Sequence, residues 1–391
     1  MDSSDAVSEP HAINVRLSVL AVCALLLHHL RDRLMPTRAD LIVSGDCGGT
    51  NTRLSLWLIP HGATHTIGDT PPGENLFSKK YVNEEFDSFV SVCVLFLQEA
   101  NIADQSPVAC VLACAGPILN NTVDFTNIEH GWKIDGEQLA KQLGIKTVKL
   151  INDFTGTGYG LLTLQPHEYI VLNDVAKEEG QTIASVGAGT GLGECYLTAG
   201  MDGKYSCFAS EGGHCDWAPS DKIEIELYND IKAKLDCERR FSTERIVSGP
   251  GLANTYEFLA RKFPNQVNTE VHAAFEAANT LSAKVVGENA PTDALCHQAL
   301  ELFVAAYGRE VGNAMLKFLP RGGFYITGGL APKNRDYFTR NSLFLDAVFD
   351  KGRVGPAIRA CPIYLVLTEE LGERGAHYLA YQLLANRQIM P

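Results

Sequence analysis

Asp46-Cys47-Gly48-Gly49-Thr50-Asn51-Thr52-Arg53 stands between two apolar runs, Leu41-Ile42-Val43 before it and Leu54-Ser55-Leu56-Trp57-Leu58 after it. An apolar strand, a glycine pair and an alternating strand form the pattern of a tight β-hairpin. Paired glycines let a backbone approach a ligand closely, and successive amide N–H groups there can hold phosphate oxygens. Thr50 and Asn51 add neutral hydrogen-bond donors. Asp46 falls at the strand end, placed to organise through water a Mg²⁺, an ion that prefers carboxylate and phosphate oxygens. The stretch points to a nucleoside triphosphate. A plain turn that happens to carry an Asp is the competing reading. The stretch lacks the spacing and lysine of a Walker loop, and it opens no helix as a GxGxxG fingerprint does.

The chain has 391 residues, enough for one large core or two ordinary ones, and two is the expectation. Hydrophobic residues make up 46% and charged residues 20%, the balance of a globular protein rather than a disordered one. A formal charge of −13 and a pI near 5.3 argue against nucleic acid or an anionic membrane as partner. They leave room for a phosphorylated ligand held locally by backbone amides. The eleven cysteines form no C-x-x-C pair, and several lie in apolar runs such as Val108-Ala109-Cys110-Val111-Leu112-Ala113-Cys114. They read as reduced, intracellular thiols rather than a disulfide framework or a zinc site.

The segment Leu17-Ser18-Val19-Leu20-Ala21-Val22-Cys23-Ala24-Leu25-Leu26-Leu27 looks like the apolar part of a signal peptide. Asp2, Asp5 and Glu9 precede it against Arg16 alone, which is the wrong charge sign, and His28-His29-Leu30-Arg31-Asp32-Arg33 follows in place of a small-residue cleavage site. It is also shorter than the roughly 20 apolar residues that span a bilayer. Residues 1–39 are therefore expected to be an extension whose apolar helix docks on the body or on a partner subunit. Ile389-Met390-Pro391 is not a Ser-Lys-Leu type signal. The cytoplasm is the expected location, with a glycosome or another organelle as the alternative.

From about Asp40 the pattern is α/β. Strand-like runs occur at 40–45, 52–59, 108–114 and 147–151, with a helix at about 84–100. A second strand, Thr182-Ile183-Ala184-Ser185-Val186, runs into Gly187-Ala188-Gly189-Thr190-Gly191-Leu192-Gly193. Residues 221–318 read as mostly helical, and Gly323-Phe324-Tyr325-Ile326-Thr327-Gly328-Gly329-Leu330 is a further strand ending in a glycine pair. Strand, glycine hairpin and strand thus occur at 41–58 and again at 182–198. Two such halves facing each other clamp phosphates in one cleft. That is the architecture of two duplicated actin-like (ribonuclease H-like) domains around a central ligand cleft. The glycines at 154–163 mark the expected hinge.

Three further stretches carry chemistry. Val148-Lys149-Leu150-Ile151-Asn152-Asp153-Phe154 ends an apolar strand in an amide and a carboxylate, at the strand end where α/β sites form. Asp153 suits a base aligned with an alcohol, and a helix N-cap is the other reading. Glu211-Gly212-Gly213-His214 fixes two polar groups on a turn that suits neighbouring sugar hydroxyls, or serves as an ordinary turn or part of a metal site. Glu244, in Ser242-Thr243-Glu244-Arg245-Ile246-Val247-Ser248-Gly249-Pro250-Gly251, is another carboxylate, for which a surface pair with Arg245 is the alternative.

In this order, and together with Thr327-Gly328-Gly329-Leu330-Ala331-Pro332 and Leu371-Gly372-x-x-Gly375-Ala376-His377, these motifs strongly resemble the bacterial-type glucokinase family. The resemblance covers nearly everything after the first 40 residues. It implies ATP-dependent phosphorylation of D-glucose at O6, the first step of glycolysis, by a hexose kinase using Mg²⁺-ATP. It assigns glucose to Asn152, Asp153, Glu211, His214 and Glu244, with Asp153 as the base. It assigns the nucleotide to Asp46, Gly48, Gly49, Thr50, Asn51, Gly189, Thr190, Gly191, Gly328 and Gly329. The protein alone fixes no metal, Asp46 reaching Mg²⁺ through water. The cysteine run of zinc-bearing sugar kinases is absent. Relatives of this kind close two domains over the sugar and are commonly homodimers. The expected division is 40–163, joined by a C-terminal helix at 371–391, and 164–370. Cys47 and Thr52 depart from the family's commoner small residues, a change expected not to touch the chemistry.

Overall fold

Ala39–Cys47 (β1) and Asn51–Pro60 (β2) form the antiparallel hairpin read from the sequence, and the Gly48 amide closes its turn on the Asn51 carbonyl at 2.9 Å. Leu41, Ile42 and Val43 are buried, as the apolar run requires. The structure, a computed structural model, describes residues 38–102, 105–125, 131–235 and 240–388. The apolar helix expected within residues 1–39 lies outside the described residues.

Glu74–Val82 (β3) pairs antiparallel with β2. Helix α1 (Phe89–Glu99) follows, then Ala109–Cys114 (β4), parallel to β1. Thr122–Phe125 (β5) and Trp132–Asp135 (β6) make a separate small hairpin. After α2 (Gly136–Leu143), Thr147–Asn152 (β7) lies parallel to β4, which gives a sheet in the order β3-β2-β1-β4-β7. Helix α3 (Asp153–Leu161) leads to Tyr169–Asn173 (β8) and to a second meander, Ile183–Ala188 (β9), Leu192–Ala199 (β10) and Tyr205–Ser210 (β11). A helical stretch comes next: α4 (Lys222–Lys234), α5 (Gly249–Lys262), α6 (Thr269–Ala277), α7 (Ser282–Asn289) and α8 (Ala294–Phe318). Gly323–Thr327 (β12) and Ile363–Val366 (β13) add in parallel to give the order β11-β10-β9-β12-β13-β8.

The two sheets share one plan. Each is an antiparallel meander whose first strand then gains two parallel neighbours, so the echo seen in the sequence is a duplication of topology. Helix α1 begins at Phe89 rather than near 84. Ser88 accepts from the Ser91 amide as N-cap, while residues 83–85 form a separate 3-10 turn.

The last helix, Leu371–Gln388, packs on α3, β1 and β4 of the first sheet. His377 stacks on Trp57 with ring centroids 3.8 Å apart, and Tyr381 donates to the Ala63 carbonyl. Where this helix crosses α3 both surfaces are bare: a Cβ on Gly375 would lie 1.8 Å from the Gly156 carbonyl oxygen, and one on Gly160 would lie 2.3 Å from that of Leu371. Only glycine lets the two backbones touch in this way.

Candidate active site

Register brings the motifs together. In the parallel set Cys47 pairs with Cys114 and Cys114 with Asn152, so β7 ends level with the first hairpin. Asp153 follows at once as the first residue of α3. Asn152 is the N-cap: its Oδ1 accepts from the amides of Phe154 (2.9 Å) and Thr155 (3.3 Å), and its Nδ2 donates to the Gly116 carbonyl at 3.1 Å. The capping reading and the ligand reading are compatible: the amide oxygen caps the helix, while the amide nitrogen faces the Gly116 carbonyl and the Asp153 carboxylate at the cleft.

The Asp153 carboxylate opens to the cleft yet stands in a recess of the protein. Burial raises its pKa above the ordinary Asp value and the negative charge of Glu211 adds to this, while the Phe154 amide, donating to it at 2.8 Å, pulls the other way. The next residue, Phe154, seats the helix on the second half. A Cβ on Gly193 would lie 2.1 Å from its ring, and one on Gly187 would lie 2.6 Å from it.

A cleft of about 1230 Å³ gathers Asn152, Asp153, Glu211, His214 and Glu244 with Gly49, Gly189, Thr190, Gly191 and Gly328. Glu211 and His214 flank a 3-10 turn, with His214 Nε2 3.9 Å from the Glu211 carboxylate and both side chains largely open to the cleft. Glu244 does not pair with Arg245. Its Oε2 accepts from the Leu192 amide at 3.0 Å, so it is tied to the second glycine hairpin. That hairpin closes by Gly189 N–H donating to Gly191 at 2.8 Å, and the Gly249 amide donates in turn to Gly189.

Asp46, Gly48, Thr50 and Asn51 line a smaller cavity of about 510 Å³ that shares Gly49 with the cleft. Burial raises the Asp46 pKa, as do the charges of Asp153 and Glu373, against a lowering by Arg53. Glu369 belongs to this cavity, and Gly329 lies beside it: a Cβ there would sit 3.1 Å from the Glu369 carboxylate. Gly328 holds φ of +78°, and a Cβ there would lie 2.4 Å from the Ala188 carbonyl, so the glycine pair after β12 is pressed against β9.

Several residues of the site carry no motif. Asn83, fully buried, splints the first hairpin: it donates to the carbonyls of Gly48 and Gly49, accepts from the Thr52 hydroxyl, and its own amide donates to the Thr50 carbonyl. With those carbonyls engaged, the amides of Gly49 and Thr50 have no partner among the described residues. Thr52, a departure from the family's commoner small residues, is part of this splint. Lys133, Asp124 and the 115–119 loop wall one side of the cleft, and Arg53, Lys80 and Glu373 wall the smaller cavity. A small charged hairpin between two predicted strands was the sole trace of the first group in the sequence.

The glucokinase family model matches residues 43–383. The chain is 38% identical over 358 residues to a glucokinase of Synechocystis sp., a match covering 87% of this chain and 98% of that one. The chain belongs to the glucokinase family. It is a hexose kinase, and a Cronobacter sakazakii glucokinase is 33% identical over 85% of this chain and 94% of its own. Among solved structures, a glucokinase from an Antarctic psychrotroph superposes with a TM-score of 0.70 at 24% identity, covering 88% of this chain and 100% of its own. A Balamuthia mandrillaris glucokinase in complex with glucose superposes with a TM-score of 0.70 at 22% identity, covering 89% and 95%. Both share the two-domain actin-like fold found here. Among the described residues no helix is long and apolar enough to cross a membrane.

Proposed function

We propose that the cleft transfers the γ-phosphoryl group of ATP to O6 of D-glucose, giving glucose 6-phosphate and ADP. The observation that carries this reading is the place of Asp153, at the start of α3 between the two glycine hairpins, with a carboxylate whose proton affinity is raised. As O6 attacks the γ-phosphorus in line, its proton passes to Asp153 and the bond to the β-phosphate oxygen breaks. Phosphoryl transfer asks little else of the protein beyond positioning and charge stabilisation.

Asn152, Glu211, His214 and Glu244 hold the sugar by hydrogen bonds, which suit a neutral, densely hydroxylated ligand. The amides around Gly49 and Thr50 take phosphate oxygens from one side, and those of Gly189, Thr190 and Gly191 from the other. Gly328 and Gly329 let the adenosine come close to the backbone. Asp46 with Glu373 makes an acid-rich corner, which fits a Mg²⁺ carried in with ATP and held by Asp46 through water. When bound, that ion neutralises phosphate charge.

The chain leaves residues 40–163 through α3 and returns from residues 164–370 into the C-terminal helix, so the bare crossing of these two helices suits a pivot between the halves. Closure about it keeps water from competing as phosphoryl acceptor. We take the enzyme to work in the cytoplasm as a homodimer. The function is tested by ADP release from Mg²⁺-ATP across a panel of hexoses. Turnover with glucose that far exceeds the others is expected, and a folded, ATP-binding protein silent on every hexose rejects the reading.

A further inference from the structure

Glu194 follows the second glycine hairpin directly, and its side chain is fully buried. Neither of its carboxylate oxygens finds an ordinary hydrogen-bond donor, and the same is true of Oε1 of the buried Glu310 on α8. The two buried carboxyl groups act on each other, the charge of Glu310 adding to burial in raising the Glu194 pKa, so the pair favours holding one proton over two bare charges. Glu310 has other partners: Asn313 donates to its Oε2 at 3.2 Å, and Lys317 Nζ lies 4.0 Å from Oε1. Glu194 is therefore the protonated member. Its other face lies against the Glu211–His214 turn. A Cβ on Gly212 would be 2.0 Å from Glu194 Oε2, while a Cβ on Gly213 would be 2.1 Å from the Leu192 carbonyl two residues earlier on the same strand.

We propose that Glu194 is a positioning residue for the sugar: its carboxyl, sharing a proton with Glu310, is the bed on which Gly212 rests, and it thereby fixes Glu211 and His214. This rests on the assignment of Glu211 and His214 to the sugar. An acid of this length meets Gly212 on one side and Glu310 on the other, so the turn, β10 and α8 are held in one arrangement. The proton is the weak point of the device. Burial, and then the charge of Glu310, push the Glu194 pKa up to about 7, with Lys317 opposing. Above that value two buried carboxylates repel and the bed under Gly212 shifts. The other groups facing the pair are Tyr307 on α8, held neutral by burial, Cys195 on β10, held neutral by its hydrogen bond with Cys207 and then by burial, and Lys351 beyond Glu310.

The test measures KM for glucose and for ATP, kcat and the thermal midpoint. Glu194→Leu, which keeps bulk and loses the shared proton, is expected to raise the glucose KM about tenfold, as small misplacements in a site do, and to move the ATP KM much less. Glu194→Gln keeps a donor toward Glu310. It should stay near the parent at neutral pH and lose the parent's rise in glucose KM on the alkaline side. Gly212→Ala should raise the glucose KM in the parent and do so far less when combined with Glu194→Ala, because the contact is then gone. A lowered midpoint with both KM values unchanged, or Gln behaving as Leu does, overturns the proposal. If Glu211→Gln raises the glucose KM and the Glu194 variants do not, this inference alone fails. If Glu211→Gln leaves it unchanged, the sugar assignment fails and this inference with it.

Discussion

The side-chain amide of Asn83 donates to the Gly48 carbonyl at 2.8 Å, across 35 residues of sequence. The first glycine hairpin is thus held from behind by the residue that follows β3. Its carbonyls are turned to Asn83, and the amides of Gly49 and Thr50 have no partner among the described residues.

Replacing Asn83 with Ala leaves the Thr52 hydroxyl and two carbonyls without that partner. A loss of about 1–3 kcal/mol of stability is expected from orphaned buried groups, together with a rise of roughly tenfold in the ATP KM. The glucose KM should move much less. Thr52→Val removes one bond of the set and is expected to show the same pattern more weakly. Denaturant unfolding and initial-rate kinetics check both.

Gly375→Ala places a methyl group where the Gly156 carbonyl stands, 1.8 Å away. The helices must separate, at an expected cost of about 1–3 kcal/mol as in overpacked cores. Because the same crossing serves as the proposed pivot, kcat should fall even at saturating substrate. The alternative result, a stable protein with unchanged kcat, removes this crossing from the closing motion.

Arg374 grips Glu168 with two bonds, at 2.8 and 2.7 Å, and this pair ties the C-terminal helix to the segment entering the second sheet. The guanidinium holds the Glu168 pKa below the ordinary Glu value. Its contribution to stability is therefore complete above the unfolded-state pKa and lost as pH falls through the lower folded-state value. Glu168→Gln should lower the unfolding free energy at pH 7 and narrow the gap to the parent in acid. A gap independent of pH speaks against a charge-based role.

Asp153 must be ionised to take a proton, and its pKa stands above the ordinary Asp value. Activity is expected to fall as pH drops through that raised value, so the acid limb of kcat/KM lies higher than an exposed Asp would place it. Glu211→Gln removes one of the causes and should move the limb to lower pH, whatever it does to the absolute rate. A limb that stays in place argues that another group titrates.

The parts of this enzyme set by neighbours in sequence could be read from sequence. The β1–β2 hairpin, the N-cap at Asn152 and the glycine pair after β12 are local patterns of apolar run, turn and cap. Each glycine motif was legible, but not the reason for it. Gly193 is small because the Phe154 ring lies on it, and Gly212 because the Glu194 carboxyl does; both contacts join distant segments. Asn83 carries no local signal, since an Asn after a charged edge strand looks like any surface turn. Strand β3 itself was missed, because its residues Glu74, Asn75, Leu76, Ser78, Lys79 and Lys80 lack an apolar alternation. It is an exposed edge strand with only Tyr81 buried, held by its pairing with β2, which sequence spacing does not announce.

The most direct measurement is a comparison of the parent with Asp153→Asn, following glucose 6-phosphate formation from Mg²⁺-ATP and glucose binding in parallel. Loss of a general base should lower kcat by at least about 10²-fold while glucose still binds. Near-parental turnover in a variant that binds glucose would contradict the account, for it would leave O6 without the base on which the reading of this cleft depends.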